Sequence, residues 1–279
     1  MSVEAAVELM QREDVSIHRA LYAARPQVVR AIEVIVERLA RGGRLIYAGA
    51  GTSGRLGVLD SVECPPTFQS SPETVQALIA GGPRALTGAV EGAEDDAAAA
   101  KRELAARNLG ERDIVFGIAA GGTTPFVHAA LDCARERGAA TVFLACVPFE
   151  QAPDRADVSI RVVTGPEVLT GSTRLKAGTA TKLVLNTVTT IAMARLGKVY
   201  ENLMVDVDTR TNSKLVERGA RIVATLTGLD RDASLALLER ADGQVKVAIV
   251  MHRSKCDAAQ AAQRLAGAQG SLRRVLEQA

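Results

Sequence analysis

Short apolar runs alternate with longer segments in which apolar residues recur every three or four positions. The runs predict five strands, at residues 45–48, 75–80, 114–118, 141–146 and 158–162. They are apolar at nearly every position, which is typical of strands buried on both faces of a parallel sheet. The periodic segments between most of them predict helices. The pattern therefore predicts an α/β fold of three αβα layers, with a parallel sheet between helices.

The two ends of the chain show helical patterns without strands. Residues 3–40 predict two helices, with apolar positions 31, 32, 35, 36 and 39 on one face. A long apolar helix is predicted at 180–196, and after residue 206 the pattern changes. Short helices are predicted at 213–228, 230–241, 243–251, 256–266 and 269–278. We therefore expect two domains, an α/β domain at 1–212 and a small helical domain at 213–279.

Charge and hydropathy exclude several classes of partner. The 279 residues include 34 basic and 32 acidic ones, a formal net charge of +2, which gives no reason to expect nucleic acid or a membrane surface as partner. The longest apolar tract, at 183–196, is too short to span a bilayer. The amino terminus has no signal-peptide pattern. These features predict a soluble, cytoplasmic protein.

The cysteines and histidines predict no metal site. The four cysteines lack CxxC spacing and accompanying histidines, and the three histidines lie in separate segments. They are Cys64, Cys133, Cys146 and Cys256, and His18, His128 and His252. His128 follows a glycine-rich loop, but the pattern favours a histidine on a helix surface. We expect neither disulfides, nor a metal, nor another cofactor.

A glycine- and hydroxyl-rich turn follows the first predicted strand. Gly49, Gly51 and Gly54 allow close approach to the backbone, and Thr52 and Ser53 supply hydroxyls where a helix would begin. The free N–H groups there suit an anion. The glycine spacing matches the dinucleotide fingerprint, but no convincing ribose-binding acid follows. A tight strand-to-helix turn without a ligand is the alternative.

A second turn of this kind, Gly121–Gly122–Thr123–Thr124, follows the third predicted strand. Pro125 suits the first turn of a helix. The amides of Gly122, Thr123 and Thr124, with the two hydroxyls, could hold a phosphate.

A third donor-rich segment, residues 165–179, leads into the long apolar helix. Ser172, Thr173, Arg174 and Lys176 lie near its start, where the helix dipole disfavours cations. A bound anion would resolve this conflict. A plain helix cap with solvated Arg and Lys is the alternative.

Four carboxylates crowd residues 91–96. For Asp95 and Asp96 the pattern favours a solvated, acidic helix start. For Glu94 the interpretation depends on whether a second acid converges on the same pocket.

Four blocks of this sequence together resemble the N-acetylmuramic acid 6-phosphate etherase family, which has the sugar isomerase (SIS) fold. They lie at 49–68, 90–95, 165–179 and 197–206, and the resemblance covers roughly the whole chain. The most selective parts are Glu-Cys-Pro-Pro-Thr at 63–67 and Asn-Leu-Met-Val-Asp at 202–206. The resemblance implies cleavage of the D-lactyl ether of an amino sugar phosphate, in peptidoglycan recycling, by a homodimer without metal or nucleotide.

The resemblance also implies roles for individual residues. Glu63 and Glu94 match the family's acid/base pair, with Glu94 assigned as the base and Glu63 as the acid that later activates water. One of them must be held protonated near neutral pH, which burial or like-charge proximity can achieve. Ligand-binding roles fall on the loop Gly121, Gly122, Thr123 and Thr124 with Ser172 and Thr173 for phosphate, on Thr52, Ser53, Gly54 and Arg55 for the sugar or its carboxylate, and on Lys176 for the lactyl carboxylate or the phosphate.

The loop at 120–125 departs from the family pattern. The family usually has Ala-Ser-Gly-Arg-Thr-Pro, whereas this chain has Ala-Gly-Gly-Thr-Thr-Pro, which lacks the serine and the arginine. Two alternatives therefore stay open, a non-catalytic sugar-phosphate regulator and a sugar-phosphate isomerase. Retention of Glu63 and Glu94 favours catalysis over sensing, and the Glu-Cys-Pro-Pro block favours ether cleavage over isomerisation.

Overall fold

Five parallel strands form one sheet in the order β2-β1-β3-β4-β5. The computed structural model describes residues 1–210 and 213–277. The strands are β1 (Leu45–Gly49), β2 (Val75–Ile79), β3 (Ile114–Ile118), β4 (Ala140–Ala145) and β5 (Val158–Arg161). Each predicted strand is confirmed, with bounds that differ by at most one residue at either end.

The burial of the strands explains why they could be predicted from their apolar pattern. β1, β3 and β4, the three inner strands, are buried at every position, whereas β2 and β5 at the sheet edges contain both buried and half-buried residues. An inner strand of a parallel sheet is covered on both faces and so is apolar throughout.

The described residues also form eleven helices and two short 3-10 turns. The helices are α1 (Val3–Ala23), α2 (Arg25–Ala40), α3 (Gly51–Phe68), α4 (Ala97–Ala106), α5 (Pro125–Glu136), α6 (Lys176–Arg195), α7 (Ser213–Thr227), α8 (Arg231–Arg240), α9 (Val245–Ser254), α10 (Ala258–Gly267) and α11 (Leu272–Glu277). The 3-10 turns are Gly82–Leu86 and Ala93–Asp95. The predicted end of the last helix, residue 278, lies outside the described residues.

Helices cover both faces of the sheet. On one face, Ile46 and Ala48 of β1 belong to an apolar cluster with Leu104 of α4 and Phe126 of α5. The side chain of Tyr47 points to the opposite face, because side chains alternate along a strand. There α3 approaches so closely that a Cβ on Gly57 would lie 3.0 Å from that of Tyr47. The predicted three-layer αβα fold is confirmed.

The chain divides into two compact units. One comprises residues 1–62 and 72–189, and the other comprises residues 63–71 and 190–279. The predicted boundary between residues 212 and 213 falls where residues 211 and 212 lie outside the described part of the chain, and the division into domains at that point stays a proposal.

The second unit has its own apolar core and a buried lysine. Val205, Val223 and Ile249 are among the core residues. Lys246 is 7 % exposed, and its Nζ donates to Asp206 Oδ2 at 2.6 Å and to the carbonyl oxygens of Gly197 and Gly270 at 2.8 and 2.7 Å. Burial lowers the pKa of Lys246 and Asp206 counteracts this shift. Asp206, the acid of the Asn-Leu-Met-Val-Asp block, is thus a hydrogen-bond partner of the buried Lys246.

Candidate active site

Two of the glycine-rich turns lie side by side at one edge of the sheet. β1 and β3 are neighbours and parallel, with Gly49 paired to Ile118 at their carboxyl ends. The turns that follow them therefore emerge at the same edge, where ligands of open α/β sheets gather. Both turns belong to the first unit.

The turn after β1 leads directly into α3. Gly54 packs against the end of the strand, because a Cβ there would lie 2.7 Å from both the Gly49 oxygen and Ile79 Cγ1. Thr52 and Ser53 are half-buried in the first turn of the helix. The Thr52 methyl group lies 3.5 Å from the Cβ position of Gly178 on α6. The structure therefore brings Thr52 close to the start of α6.

Arg55 contacts backbone rather than an acidic side chain. Its Nε donates to the Leu86 oxygen at 3.2 Å, and an Nη donates to the Gly88 oxygen at 2.8 Å. Arg55 thus holds the end of the first 3-10 turn and the residues just after it against α3. Its predicted contact with the sugar stays a prediction.

The turn after β3 presents open backbone amides. The Gly122 N–H donates to the Ala119 oxygen at 2.9 Å. Within the described residues, the N–H groups of Gly121, Thr123 and Thr124 donate to no protein acceptor. α5 begins at Pro125, as predicted, and Thr124 is its N-cap. The loop therefore offers three unpaired donors next to a helix amino terminus, which suits an anion.

The start of α6 is occupied by carboxylates of the chain itself. Glu167 accepts from the N–H groups of Lys176 and Ala177, each at 3.0 Å. Lys176 is 3 % exposed, and its Nζ donates to Glu13 Oε2 at 2.8 Å. Carboxylates of the chain itself therefore offset the unfavourable position of cations at this helix start, since an acidic group at a helix amino terminus is favourable.

The other residues of this segment lie nearby. α6 begins at Lys176, four residues before the predicted start at 180. Ser172 is half-buried and Thr173 is exposed. The roles of Ser172, Thr173 and Lys176 towards a ligand stay predictions, although the ammonium group of Lys176 already has an internal partner.

The two candidate acid/base residues are exposed. Glu63 lies on α3, at the first position of the second unit, and Glu94 lies in the 3-10 turn Ala93–Asp95 of the first unit. Burial within the single chain therefore protects neither side chain from water. Asp96 caps α4 by accepting from the Ala99 N–H at 2.8 Å, which confirms its predicted role at a helix start.

Neither a metal cluster nor a membrane span is found in the described ranges. No three His, Cys, Asp or Glu side chains at 1–210 and 213–277 are grouped so that they could hold a metal ion. No helix within these ranges has both the length and the apolar character needed to cross a membrane.

Comparison with known proteins gives relatives along almost the whole chain. The N-acetylmuramic acid 6-phosphate etherase of Gloeobacter violaceus is 58% identical over 271 residues, which cover 97% of this chain and 88% of the relative. The protein of the same name from a Nostoc species is 54% identical over 267 residues, covering 96% of this chain and 87% of the relative.

The chain belongs to the N-acetylmuramic acid 6-phosphate etherase family.

Two further comparisons agree with the fold of this etherase family member. Residues 27–135 match the family model of the glucokinase regulatory protein N-terminal SIS domain. A phosphoheptose isomerase from Francisella tularensis superposes with a TM-score of 0.54 at 17% identity, covering 70% of this chain and all of that structure. The SIS fold is thereby confirmed. The family is one of carbon–oxygen lyases, so the chain is an enzyme of that class.

A buried acid on α3 of this etherase family member was not predicted from the sequence. Asp60 is 4 % exposed and accepts from Tyr47 Oη and Asn186 Nδ2, each at 2.8 Å, and from Thr189 Oγ1 at 3.2 Å. Burial raises the pKa of Asp60, and these hydrogen bonds partly offset the rise. The available signal was its spacing along α3, because Asp60 lies three residues after Gly57 and four residues before Cys64, which are both buried.

Proposed function

We propose that this chain cleaves the D-lactyl ether of N-acetylmuramic acid 6-phosphate, giving N-acetylglucosamine 6-phosphate and D-lactate. The observation that carries the proposal is the identity of 58% over 97% of the chain to a protein of that name. The presence of both Glu63 and Glu94 supports it further, since the reaction needs an acid and a base.

The first half of the reaction is an elimination. In the open-chain sugar, the aldehyde acidifies the proton on C2, and the lactyl ether oxygen is on C3. Glu94 as carboxylate takes the C2 proton, the C2=C3 double bond forms, and the C3–O bond breaks. Glu63 as carboxylic acid gives its proton to the departing oxygen, so D-lactate leaves with its hydroxyl group.

The second half adds water to the double bond. Glu63, now a carboxylate, takes a proton from water while the hydroxide adds to C3. Glu94 then returns its proton to C2, which restores both glutamates to their starting states. The sum is one water consumed and one C–O bond exchanged, without an oxidant or reductant.

The proposed binding of the sugar phosphate uses the three donor-rich segments. The phosphate lies against the open amides of Gly121, Thr123 and Thr124, and Ser172 and Thr173 assist. Thr52, Ser53 and Arg55 face the sugar or its carboxylate, and Lys176 lies near one of the two anionic groups. The unpaired N–H groups of the loop after β3 support the first of these contacts most directly.

We further propose a homodimer that acts in the cytoplasm. Leu59 and Val62 on α3 are 48 % and 57 % exposed, and their spacing of three places both on one face of the helix. A second copy of the chain that covers this face would remove its apolar surface from water. Val62 is the residue that directly precedes Glu63. Light scattering of the purified protein gives its mass, and Val62→Asp should shift it towards that of a single chain.

The test of the etherase reaction is D-lactate release from N-acetylmuramic acid 6-phosphate. We expect release by the wild type, and a loss of about a hundredfold or more in kcat for Glu63→Gln and Glu94→Gln. Glu91→Gln, an exposed carboxylate three residues before Glu94, is the matched control and should keep full activity.

Isotope exchange separates the two roles. In D₂O, Glu63→Gln should still exchange the C2 proton of the substrate, whereas Glu94→Gln should not. Absence of D-lactate from a folded wild type that binds the substrate would contradict the etherase reaction. That result would favour the second candidate, a sugar-phosphate regulator, which the match of residues 27–135 to a regulatory protein's SIS domain supports.

A further inference from the structure

A histidine on α5 holds the loop that precedes this helix. His128 is half-buried, and its Nε2 lies 2.7 Å from the carbonyl oxygen of Gly122. A carbonyl oxygen can only accept, so Nε2 carries the proton and donates it. The imidazole also packs on Phe143 of β4, with ring centroids 5.3 Å apart. The predicted position of this side chain on the helix surface is wrong, because the side chain is half-buried and contacts the loop.

This hydrogen bond fixes the direction of a loop amide. The described residues contain no cis peptide bond, so the peptide between Gly122 and Thr123 is trans and planar. The C=O and N–H groups of a trans peptide point in opposite directions. Because the Gly122 oxygen points towards the His128 side chain, the Thr123 N–H points away from that side chain. Thr123 itself is exposed.

The same glycine is packed from a second direction. Gly122 has φ +82°, and a Cβ on it would lie 2.4 Å from the Ala152 Cβ and 3.3 Å from Val147 Cγ2. The segment behind it is held by Arg161, which donates to the Ala152 oxygen at 2.8 Å and lies over the ring of Phe143. With its backbone packed on one side and its oxygen bound on the other, the loop has little freedom to rotate its peptide planes.

We propose that His128 is a positioning residue that orients the loop amides of residues 121–124 for a phosphate group. This inference rests on the proposed binding of phosphate by that loop. The loop carries no cationic side chain, so its attraction for a phosphate depends on where its N–H groups point. A peptide plane that rotates freely would present the Gly122 oxygen to the phosphate part of the time, and an oxygen repels an anion.

Three variants test the inference. His128→Leu removes the donor but keeps an apolar side chain, whereas His128→Gln keeps an N–H that can reach the oxygen. Asp132→Asn changes an exposed residue on the next turn of the same helix face and is the matched control. Calorimetry with inorganic phosphate and with N-acetylglucosamine 6-phosphate measures Kd, and denaturant unfolding checks that each variant is folded.

We expect His128→Leu to raise both Kd values by about five- to tenfold, which corresponds to the loss of one hydrogen bond. His128→Gln should restore most of the affinity, and Asp132→Asn should bind like the wild type. In lactate release, His128→Leu should raise KM and change kcat little. A general loss of structure would lower kcat as well and would not be restored by glutamine.

The outcomes distinguish this inference from the etherase reaction. A wild type that releases lactate, with a folded His128→Leu that binds both ligands normally, overturns the inference alone. If the wild type releases no lactate but His128→Leu binds phosphate more weakly than the wild type does, the inference is supported and the etherase reaction is overturned. A wild type that binds neither inorganic phosphate nor the sugar phosphate overturns the inference.

Discussion

The starts of α5 and α6 look alike in sequence and differ in the structure. Each follows a segment rich in glycine and hydroxyl residues, and the composition of each segment predicts donors for an anion. At α5 the amides of Gly121, Thr123 and Thr124 have no acceptor within the described residues. At α6 the amides of Lys176 and Ala177 are bound by Glu167. One helix start is open to an external anion, and the other already holds an internal one.

The difference teaches that donor-rich composition does not by itself indicate a ligand. Helix amino termini need partners for their free N–H groups, and of these two segments only the one before α6 supplies such a partner within the described residues. At α6 the partner comes from an irregular segment nine residues upstream of Lys176, which has no periodicity to reveal its path. The open start of α5 is thus the better candidate for phosphate.

The largest effect should come from a methyl group added to the open loop. In Gly122→Ala the new Cβ meets Ala152, and the residue must also adopt a positive φ. We expect a loss of about 2–4 kcal/mol in the free energy of unfolding and loss of phosphate binding. Denaturant unfolding and calorimetry with N-acetylglucosamine 6-phosphate measure these two quantities.

Gly121→Ala is the matched control for this prediction. A Cβ on Gly121 would meet nothing within 4 Å, and its φ is not positive. Its free energy of unfolding should stay close to that of the wild type. Equal stability of the two alanine variants would show that the packing of Gly122 against Ala152 does not hold the loop.

An intermediate effect is expected where the internal anion is removed. Glu167→Ala leaves the first amides of α6 without their acceptor, which should lower the free energy of unfolding by about 1–2 kcal/mol. Glu150→Ala, an exposed turn residue, is the control. Added phosphate should then raise the unfolding midpoint of Glu167→Ala more than that of the control, because α6 would have become open like α5. An unchanged stability would mean that Glu167 contributes nothing at this helix start.

The smallest effect concerns the ion pair of Lys176 and depends on pH. The hydrogen bond from Lys176 lowers the pKa of Glu13 below its usual 4.5, so the folded state favours the ionised carboxyl. Its contribution to stability is therefore present above about pH 4.5 and is lost as the pH falls through the lower folded value. Glu13→Gln should unfold more easily than the wild type at pH 7, and the difference should shrink in acid.

Glu8→Gln, exposed on the same helix, controls for the change of charge. Unfolding midpoints at pH 7 and below pH 4 provide the comparison. A difference between Glu13→Gln and the wild type that persists unchanged in acid would contradict an origin in the ionised carboxyl.

The sheet could be predicted because its signal is local. A strand such as β3 is apolar at each of its five positions, since both of its faces are covered. A short apolar run of this kind is therefore enough to predict the strand. Helix starts were harder to predict. α6 was expected from residue 180, where its apolar pattern begins, but Lys176 already belongs to the helix because its amide is bound by Glu167.

The candidate site could be predicted in part. The turns after β1 and β3 could be predicted from glycines and hydroxyl residues next to apolar runs. Glu63 and Glu94 were predicted from the family blocks, and their roles stay predictions. Asp60 and His128 could not be found in this way, because their partners are distant in sequence or are backbone atoms. Asp60 meets Asn186 and Thr189 more than 120 residues away, and His128 meets a carbonyl oxygen that every residue possesses.

The three hydrogen bonds of Lys246 have a consequence for the order in which the chain is made. Its acceptors are at positions 197, 206 and 270, so a ribosome delivers two of them before the lysine and the third 24 residues after it. Until that last carbonyl emerges, the ammonium group lacks one of the acceptors that its burial requires. The complete set of acceptors around Lys246 can therefore form only after residue 270 has been synthesised, so this part of the second unit reaches its final hydrogen bonding late in the making of the chain.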